Sequence, residues 1–228
     1  MSNTSDLSLY LLSIRGTLAS PTLETARALH NQTAGAPANI TIAQSLGDVS
    51  HMVHVPLGGA CKGTGEFLIL DIWNSMDGLN QFFSNPQVQH QAGQIFTDRD
   101  PVVWGAAEGF VSYHLPAPYG KNERILAIVR GTLPSVKTAR EIHNAGSIKM
   151  LAQARKAGNL SHEAYLRMAA PGSPEGLEFF AVDVWMDHDG MHKFYDQPEF
   201  MQGLDGLFTD FANSGVAARD AIVKKSRR

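Results

Sequence analysis

The feature that most constrains this chain is an internal repeat. The segment LLSIRGTLASPTLETARALHN near the start returns as LAIVRGTLPSVKTAREIHN past the middle. Arg15-Gly16-Thr17-Leu18 recurs at 130–133, Thr25-Ala26-Arg27 as Thr138-Ala139-Arg140, and His30-Asn31 as His143-Asn144. Farther on, GEFLILDIWNSMDGLNQFFSNP matches GLEFFAVDVWMDHDGMHKFYDQP, and IFTD at 95–98 matches LFTD at 207–210. The offset between copies drifts only from 115 (Arg15 to Arg130) to 111 (Gly47 to Gly158). Chance does not keep so many words in one order at one spacing. The 228 residues therefore divide into a first unit, 1–115, a Pro/Gly/polar linker, 116–123, and a second unit, 124–228.

Each copy reads as β-α-β-β-α-β. Aliphatic and β-branched runs at 9–18 and 125–133 predict a first strand. Ser20 or Ser135 is the expected N-cap of a helix whose apolar face holds Leu23, Ala26 and Leu29, or Val136, Ala139 and Ile142. A further helical stretch, 38–46 or 147–157, ends at Gly47 or Gly158. Two strands follow, 49–56 with 66–73 and 160–168 with 178–185, joined by Gly/Pro-rich connections that favour hairpins. A second helix begins near Ser75 or Asp187 and is interrupted at Pro86 or Pro198. A last strand is expected at about 102–112 and 215–223. The fold class is thus α+β, two tandem ferredoxin-like units.

With that order in place, the chain resembles the dimeric α+β barrel superfamily, and within it the antibiotic-biosynthesis-monooxygenase-like domains. The resemblance spans nearly the whole sequence. It rests on the DxW, DGxxxFF or DGxxxFY, and NP or QP run at 71–86 and 183–198. It implies that the two halves form one barrel within the chain, with helices outside and the helix-free sheet faces around a pocket.

Strand alternation then selects the pocket residues. The aliphatic row Leu68, Leu70, Ile72 is expected under the helices, as are Leu12, Ile14, Gly16 and Val53, Val55. Phe67, Asp71 and Trp73 are expected inside, with Phe179, Asp183 and Trp185 in the second copy. Arg15, Arg130, His54 and Tyr165 join them. His51 and His162 fall on the helix side, and a one-residue slip would exchange His51 with His54. The arginines admit a structural reading, as ion pairs Arg15–Asp71 and Arg130–Asp183, because charges on a buried face need partners. In the functional reading His54 is the general base, with His51 as its substitute; Arg15 or Arg130 stabilises an anion, and aromatic walls enclose the substrate.

The resemblance implies a cofactor-independent monooxygenase acting on a phenol-like or enolisable small molecule. A lyase or isomerase using the same base and arginines is the alternative, and a non-catalytic ligand-binding or stress-response protein is a third. No cofactor and no metal is expected. His188 and His192 have i, i+4 spacing but lack the glutamate of a zinc-protease helix, and GGACKGTG at 58–65 does not have the order of a phosphate-cradling loop. The single cysteine, Cys61, excludes an intrachain disulfide. The formal net charge of −3 gives no electrostatic case for nucleic acid, and the basic tail Lys224, Lys225, Arg227, Arg228 reads as a solvated end. No secretory signal or membrane span is read, so a cytoplasmic location is expected, with a homodimer as an open alternative. Each half exposes an apolar sheet face if made alone. Residues 1–115 expressed by themselves should therefore aggregate or dimerise in size-exclusion chromatography, and a well-behaved monomeric half would refute this.

Overall fold

A computed structural model of the chain describes residues 8–56, 65–114, 124–169, 176–209 and 220–224. Cys61, the linker 116–123 and the tail residues Lys225, Arg227 and Arg228 lie outside the described residues. The fold is α+β and comprises two compact units, Met1–Val103 and Trp104–Arg228. Among the described residues no helix is long and apolar enough to cross a membrane.

The first unit runs β1 (Tyr10–Leu18), α1 (Leu23–Gln32), α2 (Pro37–Ser45), β2 (Asp48–Pro56), β3 (Glu66–Trp73), α3 (Met76–Phe83), α4 (Pro86–Ile95) and β4 (Phe96–Ala106). Its strand order is β4-β1-β3-β2, the ferredoxin-like arrangement. β4 starts at Phe96, ahead of the expected 102, because the polar residues Thr97 to Pro101 are half-buried or exposed positions of a strand and not a turn.

The second unit opens with the end of β4, where Trp104, Gly105 and Ala106 pair with Arg167, Leu166 and Tyr165. It continues with β5 (Tyr113–His114), β6 (Arg124–Thr132), α5 (Val136–Lys156), β7 (Asn159–Arg167), β8 (Glu178–Trp185), α6 (His188–Tyr195), α7 (Pro198–Gly203) and β9 (Asp220–Lys224). The order is β9-β6-β8-β7-β5.

Local chemistry sets the boundaries. Thr22, not Ser20, caps α1, its hydroxyl accepting from the Thr25 N–H. Ser75 and Asp187 cap α3 and α6 by accepting the N–H of Gly78 and Gly190. Pro86 and Pro198 do more than interrupt: each opens a new helix at its first position, where no N–H is needed. Copy one breaks its first helix at 33–36, where Pro37 restarts it; copy two has no proline there and makes one helix of 21 residues.

The expected faces are reversed in the third strand of each copy. Phe67, Ile69 and Trp73 pack with Ala26, Leu79 and Ile95 in the core beneath the helices, as do Leu12 and Ile14 of β1. Phe179 and Ala181 do so in the second unit, with Ala139 and Leu207. Leu68, Leu70 and Ile72 therefore belong to the helix-free face. The reason is burial on both sides: every residue from Phe67 to Asp71 is buried, so apolarity cannot distinguish the faces. Large aromatic side chains fill the deeper layer between sheet and helices.

The repeated words turn out to be packing partners. A Cβ on Gly16 would lie 2.5 Å from the Phe96 ring, and one on Gly131 would lie 2.5 Å from Phe208. The glycine of each Arg-Gly-Thr-Leu block thus leaves room for the phenylalanine of IFTD or LFTD. By contrast, a Cβ on Gly93, in α4, would meet open space. Gly16→Ala and Gly131→Ala should each cost about 1–3 kcal/mol in urea denaturation, the range for overpacking. Gly93→Ala should stabilise by about 0.5–1 kcal/mol, through helix propensity alone.

Candidate functional site

Each unit holds its own cavity, between its sheet and its helices. The first contains about 680 Å³ of empty space and the second about 700 Å³, part of it open to solvent. His51, Asp71 and Trp73 line the first; His162, Asp183 and Trp185 line the second.

The strands create the arrangement by a shared irregularity. Register shifts at Asp48/Ser50 and at Asn159/Ser161, and beyond the shift His51 stands opposite Asp71 and His162 opposite Asp183. His51 Nδ1 lies 2.7 Å from Asp71 Oδ1, and His162 Nδ1 lies 2.7 Å from Asp183 Oδ1. The first helix of each copy supplies a second imidazole. His30 Nε2 is 3.0 Å from His51 Nε2, and His143 Nε2 is 2.9 Å from His162 Nε2. Each chain of groups ends on an asparagine, Asn31 Oδ1 at 3.4 Å from His30 Nδ1 and Asn144 Oδ1 at 3.2 Å from His143 Nδ1.

The second unit fixes where the protons are. Asn144 Oδ1 accepts from the Val111 N–H and its amide donates to the Gly109 carbonyl, so its orientation is set by the backbone. His143 Nδ1 must then carry the proton that faces Asn144, which leaves Nε2 of a neutral His143 as an acceptor. The donor at that contact is His162 Nε2–H. One further proton lies between His162 Nδ1 and Asp183, so the pair is an imidazolium–carboxylate. The titration directions agree. Burial works against charge on His162, but Asp183 and Glu163 outweigh it and hold the imidazolium above its ordinary range. Burial and the His162 charge push His143 down to about 4, despite Asn144 and Asp183. The first unit repeats the pattern. Burial opposes the His51 charge, but Asp71 and Asp48 raise it; burial and His51 push His30 down to about 4. Burial also raises the Asp71 carboxyl, partly offset by His51.

The expected site residues separate into two groups. Asp71, Trp73 and Phe67, with Asp183, Trp185 and Phe179, sit on the helix-covered face, where Asp71 meets His51 and Asp183 meets His162. His54 lies on the opposite face, opposite Leu68 in the register, fully buried, its Nδ1 3.3 Å from the Leu68 carbonyl. Arg15 pairs with Glu66 at 2.7 Å, not with Asp71. Arg130 pairs with Glu178, not with Asp183, and lies 5.3 Å from the centre of the Trp104 ring. The ion-pair expectation fails because arginine and aspartate alternate onto opposite faces, whereas Glu66 and Glu178 share the arginine face. Tyr165, also on that face, donates to Glu163. His30 and His143, not among the expected site residues, are inward-facing partners of the strand histidines. The signal available in the sequence was that both histidines of each chain recur in both copies.

No family model and no curated protein matches the sequence. Solved structures are similar along almost the whole chain. An anthrone oxidase-like protein is 15% identical over 98% of this chain and 94% of its own, with a TM-score of 0.65. A mutant chlorite dismutase from Candidatus Nitrospira defluvii is 9% identical over 96% and 92%, with a TM-score of 0.58. A candidate monooxygenase from Fusobacterium nucleatum is 11% identical over 96% and 93%, with a TM-score of 0.56. At these identities the likeness shows the fold alone.

Neutral burial of His30 and His143 has a consequence for acid stability. Both have folded values near 4 against an ordinary 6.5, so their contribution is present above pH 6.5 and lost as pH falls through 4. Differential scanning fluorimetry should show the melting temperature falling over that window. His143→Gln should flatten the fall, while exposed His188→Gln should leave its shape unchanged.

Proposed function

We propose that this protein is a monooxygenase-like enzyme that oxidises a phenol-like or enolisable small molecule without a bound cofactor, in the cavities between sheet and helices. The observation that carries this reading is the buried carboxylate–imidazole pair, His51–Asp71 or His162–Asp183, on the wall of an apolar cavity. Such a pair can take a proton from a weakly acidic hydroxyl or ring carbon inside a low-dielectric site. The resulting substrate anion is electron-rich and itself reduces oxygen. For a ring methylene, one oxygen atom ends as the new carbonyl and the other leaves as water, so that no further reductant is needed. The anthrone oxidase-like and monooxygenase neighbours share this fold and make the class of reaction a reasonable one for it.

In this reading the roles differ from those expected of the helix-free face. His51 with Asp71 replaces His54 as the base, and Trp73 and Phe82 are the walls beside it. Arg15, held by Glu66 on the other face, does not stabilise the anion. Among the described residues, the guanidinium that lines the first cavity is that of Arg99, from β4.

The groups facing His51 are Asp71 from β3, Asp48 from its own strand and His30 from α1, with Arg99 lining the same cavity. The base works when His51 is neutral. Its folded value is raised above 6.5, so turnover should rise with pH and the midpoint should lie above 6.5. Oxygen uptake with 1,8-dihydroxyanthrone as probe tests this. Asp71→Asn combined with Asp183→Asn should lower turnover by roughly 100- to 10,000-fold, the usual contribution of a positioned acid–base group. His54→Ala should retain most of the activity. Loss with His54→Ala and not with the double variant would return the base to the helix-free face.

A further inference from the structure

The two cavities are built from one design and differ at the carboxylate. In the second unit both oxygens of Asp183 are engaged. Oδ1 faces His162, and Oδ2 accepts the hydroxyl of Tyr195 at 2.6 Å. The Trp185 indole N–H is buried nearby with no hydrogen-bond partner among the described residues. A phenolic hydroxyl is thus held on a carboxylate oxygen, fully buried.

In the first unit the residue in the place of Tyr195 is Phe83. The aromatic frames correspond closely. Trp73 meets Phe83 at 6.0 Å and 62°, as Trp185 meets Tyr195 at 5.3 Å and 63°. Trp73 meets Phe82 at 5.6 Å and 44°, as Trp185 meets Phe194 at 5.3 Å and 42°. What differs is the hydroxyl. Asp71 Oδ1 faces His51, while no donor among the described residues reaches Asp71 Oδ2. The Trp73 N–H is buried with no partner among the described residues, and both residues line the cavity. An acceptor oxygen and a buried donor in one cavity are complementary to a single group that both donates and accepts, which is a hydroxyl. A buried donor left without a partner is costly, so a ligand that satisfies it is favoured over one that cannot.

We propose that the Tyr195 hydroxyl is a built-in partner of the second unit's carboxylate, and that in the first cavity the phenolic hydroxyl of a ligand takes the corresponding place, donating to Asp71 Oδ2 and accepting from the Trp73 N–H. The protein then binds one phenol per chain, and the first unit alone turns substrate over. For the reaction this rests on the reading above; for binding it stands separately. The neighbouring polar positions follow the same division. In the second unit Asn159 Oδ1 accepts the Tyr113 hydroxyl at 2.7 Å, whereas its counterpart Asp48 lines the first cavity as a second carboxylate. Ligands with a further hydroxyl suit the first cavity best.

Exchanging the two residues tests the proposal on the full chain. Titration calorimetry with 1-naphthol should give one site per chain. Phe83→Tyr should weaken that site by tenfold or more, because the new hydroxyl occupies Asp71. Tyr195→Phe should add a second site of similar affinity. The methyl ether, 1-methoxynaphthalene, should bind at least tenfold more weakly than 1-naphthol, since it cannot donate. Both substitutions change one hydroxyl, and melting curves verify that each variant is folded. Two sites in the unaltered chain, no naphthol binding, an ether that binds equally well, or stoichiometry unmoved by both exchanges would each overturn the proposal. Oxygen uptake with 1,8-dihydroxyanthrone separates the two readings. If the binding pattern appears without turnover, the oxygenase reading fails and the hydroxyl site stands. If turnover persists undiminished in folded Phe83→Tyr, the hydroxyl site fails and the oxygenase reading stands.

Discussion

A carboxylate set into the apolar face of a sheet must be paired, and the pairing of Asp71 and of Asp183 organises each unit. Left alone, a buried charge of this kind would be expensive enough to unfold a small domain or to neutralise itself. The partner is a histidine on the adjacent strand, brought opposite by a one-residue irregularity in register. That histidine reaches a second one on the first helix, which ties the helix to the sheet at the level of the cavity. The second imidazole stays neutral because it is buried next to a charged one. Strand register, helix docking and protonation state thus follow from a single buried carboxylate.

Much of the fold was legible in the sequence and the faces of the third strands were not. The repeat, the order of elements and the caps at Ser75, Ser135 and Asp187 can be read from residue types and spacing, because each is a local requirement. The face to which Asp71 and Trp73 point is not local. In FLILD and FFAVD every residue is buried, so the period of two that marks a half-exposed strand carries no contrast. An aliphatic row was matched with the helices although the aromatic row fills that deeper layer. The first strands, where Arg15 and Arg130 alternate with aliphatic residues, were read on the correct face for the opposite reason: they keep a polar side.

The candidate site was legible only in pieces. His51 and Asp71 were singled out, but for different faces, so their contact was hidden. His54 was expected as the base, although its counterpart in the second copy is Tyr165. The histidines that meet at each cavity are those that do not differ. Two units with one internal design retain what that design needs and diverge elsewhere, and the informative difference was the quieter one, Phe83 against Tyr195.

The break between α1 and α2 has a kinetic meaning. Ala34, Asn39 and Ile40, at or just beyond that break, form part of the wall of the first cavity. That wall is two short rods with a joint, closed by side-chain bonds such as Asn39 to the Thr33 carbonyl and to Gln91. The matching wall of the second cavity is a single continuous helix, with His143, Gly146, Ser147 and Met150 on its inner side. Admitting a guest past a joint requires a few side-chain bonds to open and one short rod to swing. Admitting it past an unbroken helix requires the whole rod to move or its ladder of backbone bonds to fray. The wall of the first chamber is jointed, and that of the second is a plank.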